Sequence, residues 1–146
     1  MTTDIRQRLE PYRGRRVLIT GATGFTGRVL TQKLLDSGAQ IRAIARESSK
    51  LGSLAGADIE WLRGDVFDAA LAREACRDVE YIFHLAAAFR EEKSTEEDFR
   101  KVHLTSTQIM ANEVVNRDTF SCFVNVSTVG VHGHIEVERA DENYRF

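Results

Sequence analysis

Gly21, Gly24 and Gly27 recur at every third position within the run Thr20-Gly21-Ala22-Thr23-Gly24-Phe25-Thr26-Gly27. Glycine has no Cβ, so such a run lets a ligand come close to the main chain and lets the backbone take angles closed to other residues. The chemistry this suits is the binding of two linked phosphates, provided that a strand precedes the glycines and a helix comes after them. The first turn of a helix then offers unpaired N–H groups and the positive end of its dipole. The sequence pattern meets both conditions: Val17-Leu18-Ile19 reads as a buried strand, and Phe25, Val29, Leu30 and Leu34 recur at helical spacing. On this reading Gly21, Thr23, Gly24, Phe25 and Gly27 face a dinucleotide. The plainer alternative is a tight turn that packs a helix on a sheet.

A loop of this kind needs a sheet to hold it, and the rest of the chain supplies one. Ser37-Gly38 stops the helix, and residues 41–45 alternate as a second strand. A carboxylate that could accept the ribose 2′-hydroxyl is expected about 20 residues beyond the loop. Ala45 stands there, followed by Arg46, whose guanidinium could pair a 2′-phosphate through two hydrogen bonds, so NADP is expected in preference to NAD. Residues 59–62 read as a third strand, Asp68 as the cap of a helix over 69–76, and residues 79–84 as a fourth strand ending in His84-Leu85-Ala86-Ala87. Small side chains at a strand's carboxyl end leave room for a flat ligand against the backbone. His84 itself is expected as a hydrogen-bonded strand-end residue and not as a ligand or base. Ser94 and Glu97 fit a capping box that starts a long helix, with Phe99, Val102, His103, Ser106, Ile109, Met110 and Val114 on its buried stripe. Residues 120–126 read as a fifth strand, leading to Ser127-Thr128.

Composition sets outer limits. With 146 residues, 42% hydrophobic and 29% charged, the chain can bury the core of one domain, here residues 15–146 behind a solvated lead-in at 1–14. A net charge of −2 gives no electrostatic case for nucleic acid or a membrane surface as partner. The longest apolar stretch, around 81–89, is too short to span a bilayer and is broken by His84. Cys76 and Cys122 lie far apart with no metal-type spacing, so reduced thiols, a cytoplasmic location and no metal site are expected.

Thr20-Gly21-x-x-Gly24-x-x-Gly27 resembles the glycine loop of the extended short-chain dehydrogenase/reductases, the NAD-dependent epimerase/dehydratase family, and the resemblance runs from Arg15 to the end of the chain. It implies an α/β fold of Rossmann type, a doubly wound parallel sheet in the order 3-2-1-4-5, with right-handed crossovers. Gly64-Asp65-Val66-x-Asp68 is similar to a family motif in which Asp65 accepts a hydrogen bond from the adenine amino group and Val66 abuts the ring. His84-Leu85-Ala86-Ala87 is similar to H-x-A-A, which implies cofactor contact by Leu85, Ala86 and Ala87. The strand end at 127–133 resembles S-[ST]-x-x-V-Y-G, with Thr128 holding the reacting oxygen and His132 where tyrosine is usual. His103 and Ser106 replace the Asn and Gly of the family's N-x-x-G-T helix.

The implied activity is hydride transfer in nucleotide-sugar epimerisation, dehydration or carbonyl reduction, with a small-molecule substrate and a homodimer through the helix near Ser94. The Tyr-x-x-x-Lys pair of such enzymes would fall past Phe146; Tyr144 has no lysine after it. The expectation is therefore the N-terminal, cofactor-binding part of a longer enzyme, inactive by itself. The alternative is a non-catalytic module that senses NAD(P) or serves as a scaffold.

Overall fold

The computed structural model describes residues 5–88 and 95–128, with 141 and 143. Ser94 and the strand-end positions 129–133, His132 among them, lie outside the described residues. A short helix α1 (Ile5–Leu9) and a 3-10 turn (Glu10–Tyr12) lead into β1 (Arg16–Thr20), α2 (Phe25–Asp36) and β2 (Gln40–Ala45). A 3-10 turn (Gly52–Leu54), β3 (Ile59–Arg63), α3 (Ala69–Cys76) and β4 (Tyr81–His84) come next. After them stand α4 (Glu96–Phe99), a π-helical stretch (Arg100–Thr105), α5 (Ser106–Val114) and β5 (Cys122–Asn125).

The five strands form one parallel sheet in the order β3-β2-β1-β4-β5. β1 lies between β2 and β4, with Ile19 opposite Ala43 on one side and Phe83 on the other. Strand residues point alternately to the two faces, and β1 is buried on both, which is why it reads as an unbroken apolar run. Leu18 packs with Ile44, Ile82, Ala72, Met110 and Val114 under α3 and α5. Val17 and Ile19 pack on the other face with Ala22, Leu34, Ile41 and Ala43.

Three local features depart from the pattern expected. The lead-in is not merely solvated: Leu9 and Tyr12 pack on the second core, and the Tyr12 ring meets Tyr81 edge-on at 4.8 Å and Phe83 at 5.7 Å. The capping box is set one residue later than expected, with Thr95 accepting from the Asp98 backbone N–H and the Asp98 carboxylate accepting from Thr95. Both Ser94-x-x-Glu97 and Thr95-x-x-Asp98 satisfy the same spacing rule, so sequence could not separate them. The stripe of the long helix is broken at His103, which is exposed, because the π turn adds a residue per turn and rotates the positions beyond it.

Arg42 is the other unexpected element, a charged residue 6% exposed in β2. Its Nε donates to Glu60 at 2.8 Å, and Nη1 faces the carbonyls of Glu74, Ala75 and Arg77 at the end of α3. Arg117 reaches the Cys76 carbonyl at 2.5 Å. Two guanidinium groups thus take up the last carbonyls of α3, where the helix dipole favours positive charge. At its other end Asp68 caps α3 as the sequence predicts, accepting from Ala70 and Leu71 N–H at 2.9 and 3.0 Å. No helix of the described residues is long and apolar enough to cross a membrane.

Candidate functional site

All five strands run the same way, so the residues singled out in the sequence share one end of the sheet: Gly21 after β1, Arg46 after β2, Asp65 after β3, Leu85, Ala86 and Ala87 after β4, and Thr128 after β5. The order reverses between β1 and β4, the position at which open α/β sheets form their ligand crevice. A separate concavity of about 510 Å3, lined by Arg16, Gln40, Asp58 and Glu60 among others, opens at the amino-terminal ends of β1 to β3. It is remote from these residues, and we place no chemistry there.

The glycine loop is fixed by its own backbone. Gly21 has φ +70, and a Cβ on it would stand 2.8 Å from the Leu85 carbonyl and 2.9 Å from Ala86 N. A Cβ on Gly27 would meet the Gly21 carbonyl oxygen at 2.0 Å. These two glycines are therefore required by close approach, the first between β1 and β4 and the second between helix and loop. Gly24 differs: its φ of −74 is ordinary, and a Cβ would lie 3.2 Å from Gly21 O. It stands at the N-cap of α2, and no side chain caps the helix there. With Gly24 and Thr26 exposed and Phe25 95% exposed, the first turn presents open main chain to solvent. This cradle fits a pyrophosphate.

The β4 side of the crevice is held by a buried chain of hydrogen bonds. Ser106 Oγ donates to the Val102 carbonyl at 2.5 Å, so it accepts from His84 Nε2 at 3.0 Å. His84 Nδ1 then accepts from the Thr20 hydroxyl at 2.7 Å, and Thr20 Oγ1 accepts from Ala86 N–H at 3.1 Å. His84 is 2% exposed, and burial, aided by His103, pushes its pKa down from 6.5 to about 4. The neutral ring that this chain requires is the form favoured at neutral pH. His84 is thus a hydrogen-bonded strand-end residue, as its position in the sequence suggested. Thr20 and Ser106 were missed as members of the site. The signal for Thr20 was a hydroxyl residue closing an apolar strand directly before the first glycine.

His103, expected in the core, lies at the surface and stacks on Phe99 at 6.0 Å. Its Nε2 accepts from the Ala88 N–H at 3.1 Å, so it steadies the same segment from the helix side.

Around the end of β2 the geometry is looser. Arg46 is exposed, and its carbonyl accepts from Arg63 Nη1 at 3.2 Å. Gly64 N donates to the Ala45 carbonyl, which ties the ends of β2 and β3. Asp65 is exposed, its carbonyl accepting from Asp68 N at 3.0 Å, while Val66 packs on the first core. Among the described residues no hydrogen bond or ion pair joins Asp65 or Val66 to the glycine loop. Thr128 is exposed beyond β5, whose pairing with β4 extends to Val126 N and the His84 carbonyl. Among the described residues no group of His, Cys, Asp and Glu could hold a metal ion.

The model of the NAD dependent epimerase/dehydratase family matches residues 17–145. The chain belongs to this family. Sterol demethylase protein B of Methylococcus capsulatus is 31% identical over 116 residues, a match covering 80% of this chain and 35% of that protein. The structure of an epimerase from Methanothermobacter thermautotrophicus superposes with a TM-score of 0.77 at 26% identity, covering 93% of this chain and 43% of that one. The Bordetella bronchiseptica enzyme WbmG, in complex with NAD, superposes with a TM-score of 0.78 at 21% identity, over 89% of this chain and 43% of its own, a likeness of fold. The chain thus spans less than half the length of each of these three proteins.

Proposed function

We propose that this chain supplies the cofactor half of an enzyme that moves hydride to or from a small carbonyl or alcohol substrate, in carbonyl reduction, epimerisation or dehydration, with NADP preferred over NAD. The observation that carries the proposal is the close meeting of Gly21 with the β4 end, which leaves bare main chain on both sides of one crevice. Gly21, Thr23, Gly24, Phe25 and Gly27 would border the two phosphates, and Arg46 the ribose. Asp65 and Val66 would border the adenine, while Leu85, Ala86 and Ala87 would form the wall nearest the nicotinamide. When bound, the dinucleotide supplies or takes up the hydride. Thr128 would hydrogen-bond the reacting oxygen, where a preoriented donor stabilises developing charge. A nucleotide-sugar is one substrate compatible with this reading, a homodimer one assembly, and the cytoplasm its location.

The test is a titration of the purified chain with NADPH and NADH, read by energy transfer from Trp61 to the reduced nicotinamide. Saturable binding is expected, tighter for NADPH. Gly24→Val should abolish it while circular dichroism stays unchanged, since Gly24 has ordinary backbone angles and is exposed. A wild-type chain that binds neither nucleotide would refute the proposal.

A further inference from the structure

Arg28, one residue past the last loop glycine, is not a phosphate-loop position and was not singled out by the sequence. Its Nη2 donates to the Thr23 carbonyl at 3.1 Å, within the glycine loop. A Cβ built on Gly52 would lie 3.1 Å from Cζ, Nη1 and Nη2 alike, so the flat guanidinium face rests on the Gly52 backbone. Gly52 has φ +58, and both its angle and its missing side chain make room for that face. Nη1 has no acceptor among the described residues, and Nε is buried with none.

Buried N–H groups are ordinarily paired, so a guanidinium left with an orphaned Nε is a group whose hydrogen bonding is incomplete. Arg63 braces the same turn from the β3 side, donating to the carbonyls of Arg46 and Ser49 at 3.2 and 3.3 Å. Lys50 and the hydroxyls of Ser48 and Ser49 belong to the turn itself. Among the described residues, Arg28, Arg46, Lys50 and Arg63, gathered about this one turn, have no carboxylate within ion-pair distance, as is true of Arg8, Lys33 and Arg100 elsewhere, whereas Arg13, Arg15, Arg16, Arg42, Arg73, Arg77 and Arg117 each have one. The turn's own acid, Glu47, is exposed and pairs with none of the four. Four unneutralised cations about one turn call for a dianion, and guanidinium groups suit phosphate because their N–H groups match its oxygens in pairs.

We infer that Arg28, laid flat on Gly52, is a second determinant of nucleotide specificity, taking the terminal phosphomonoester of the 2′-phosphorylated ribose together with Arg46. This rests on the NADP preference proposed above. Gly52 acts as a positioning residue, since a side chain there would displace the guanidinium without itself touching the nucleotide.

The experiment compares NADPH and NADH affinities, and those of 2′,5′-ADP and 5′-AMP, for the wild-type chain and the Arg28→Met, Arg28→Lys, Gly52→Ala and Arg46→Ala variants, each checked by circular dichroism. Arg28→Met should weaken NADPH and 2′,5′-ADP by tenfold or more and NADH and 5′-AMP much less. Arg28→Lys should restore part of the loss, and Gly52→Ala should shift the ratio in the same direction by a few-fold. Equal binding of both nucleotides by the wild-type chain would remove the NADP reading and this inference with it. A wild-type preference lost in Arg46→Ala but intact in Arg28→Met and Gly52→Ala would leave that reading standing and overturn the role of Arg28. Parallel loss of both nucleotides in folded Arg28→Met would make Arg28 a pin of the loop, which also overturns it. If Arg28→Met does not fold, Arg28→Lys and Gly52→Ala decide alone.

Discussion

The glycine loop and the turn after β2 border the same end of the sheet, yet they are shaped by opposite means. Around Gly21 and Gly27 main chain lies directly on main chain, and no side chain intervenes. Around residues 46–52 side chains from elsewhere lie against the backbone: Arg63 from β3 donates to the carbonyls of Arg46 and Ser49, and the Arg28 guanidinium from α2 rests on Gly52. The first arrangement cannot adjust without moving strands. The second can change by rotating a guanidinium, so on the proposed reading the nucleotide preference of this chain can be altered there without disturbing the glycine loop.

That contrast can be broken most sharply at Gly27. Gly27→Ala places a methyl 2.0 Å from a backbone oxygen, so the loss should exceed the roughly 3 kcal/mol typical of overpacking, or leave no folded protein. Urea denaturation measures it, and a loss under about 1 kcal/mol would mean the loop is as yielding as the turn. Next in size is the acid sensitivity of the Thr20-His84-Ser106 chain. With the folded pKa near 4 and the unfolded value near 6.5, the unfolded chain binds the extra proton between them, so stability present above pH 6.5 is lost as pH falls toward 4. The full effect is about 3 kcal/mol at the usual 1.36 kcal/mol per pH unit. Nitrogen-15 shifts of His84 should show the Nε2-protonated neutral ring at pH 6, and a ring already charged there would contradict the chain. The smallest effect belongs to the turn: Gly52→Ala should cost about 1–2 kcal/mol, the penalty of a left-handed alanine, because a side chain that can swing away meets the methyl.

The same contrast explains what the sequence could reveal. The strands, the glycine loop and the Asp68 cap were readable because each depends on residue type at fixed local spacing, whereas the strand order was implied by the family resemblance. Gly21 and Gly27 left a mark because no other residue fits. Arg28 and Gly52 did not, since their meeting depends on how α2 sits over the turn, and each taken singly looks like a solvated cation and a loop glycine. His103 was misplaced because a π turn changes the period on which the stripe was counted. Arg42 looked like the polar member of an alternating strand, and only the fold shows that it is buried beneath the end of α3.

The lead-in has a practical corollary. Where residue patterning would draw the edge of the folded unit, at Arg15, a shortened clone would strip Tyr12 from its ring partners and leave Tyr81 and Phe83 bare on the flank of β4. Fusion partners and cleavage sites are better set upstream of Ile5, so that this aromatic clasp stays closed.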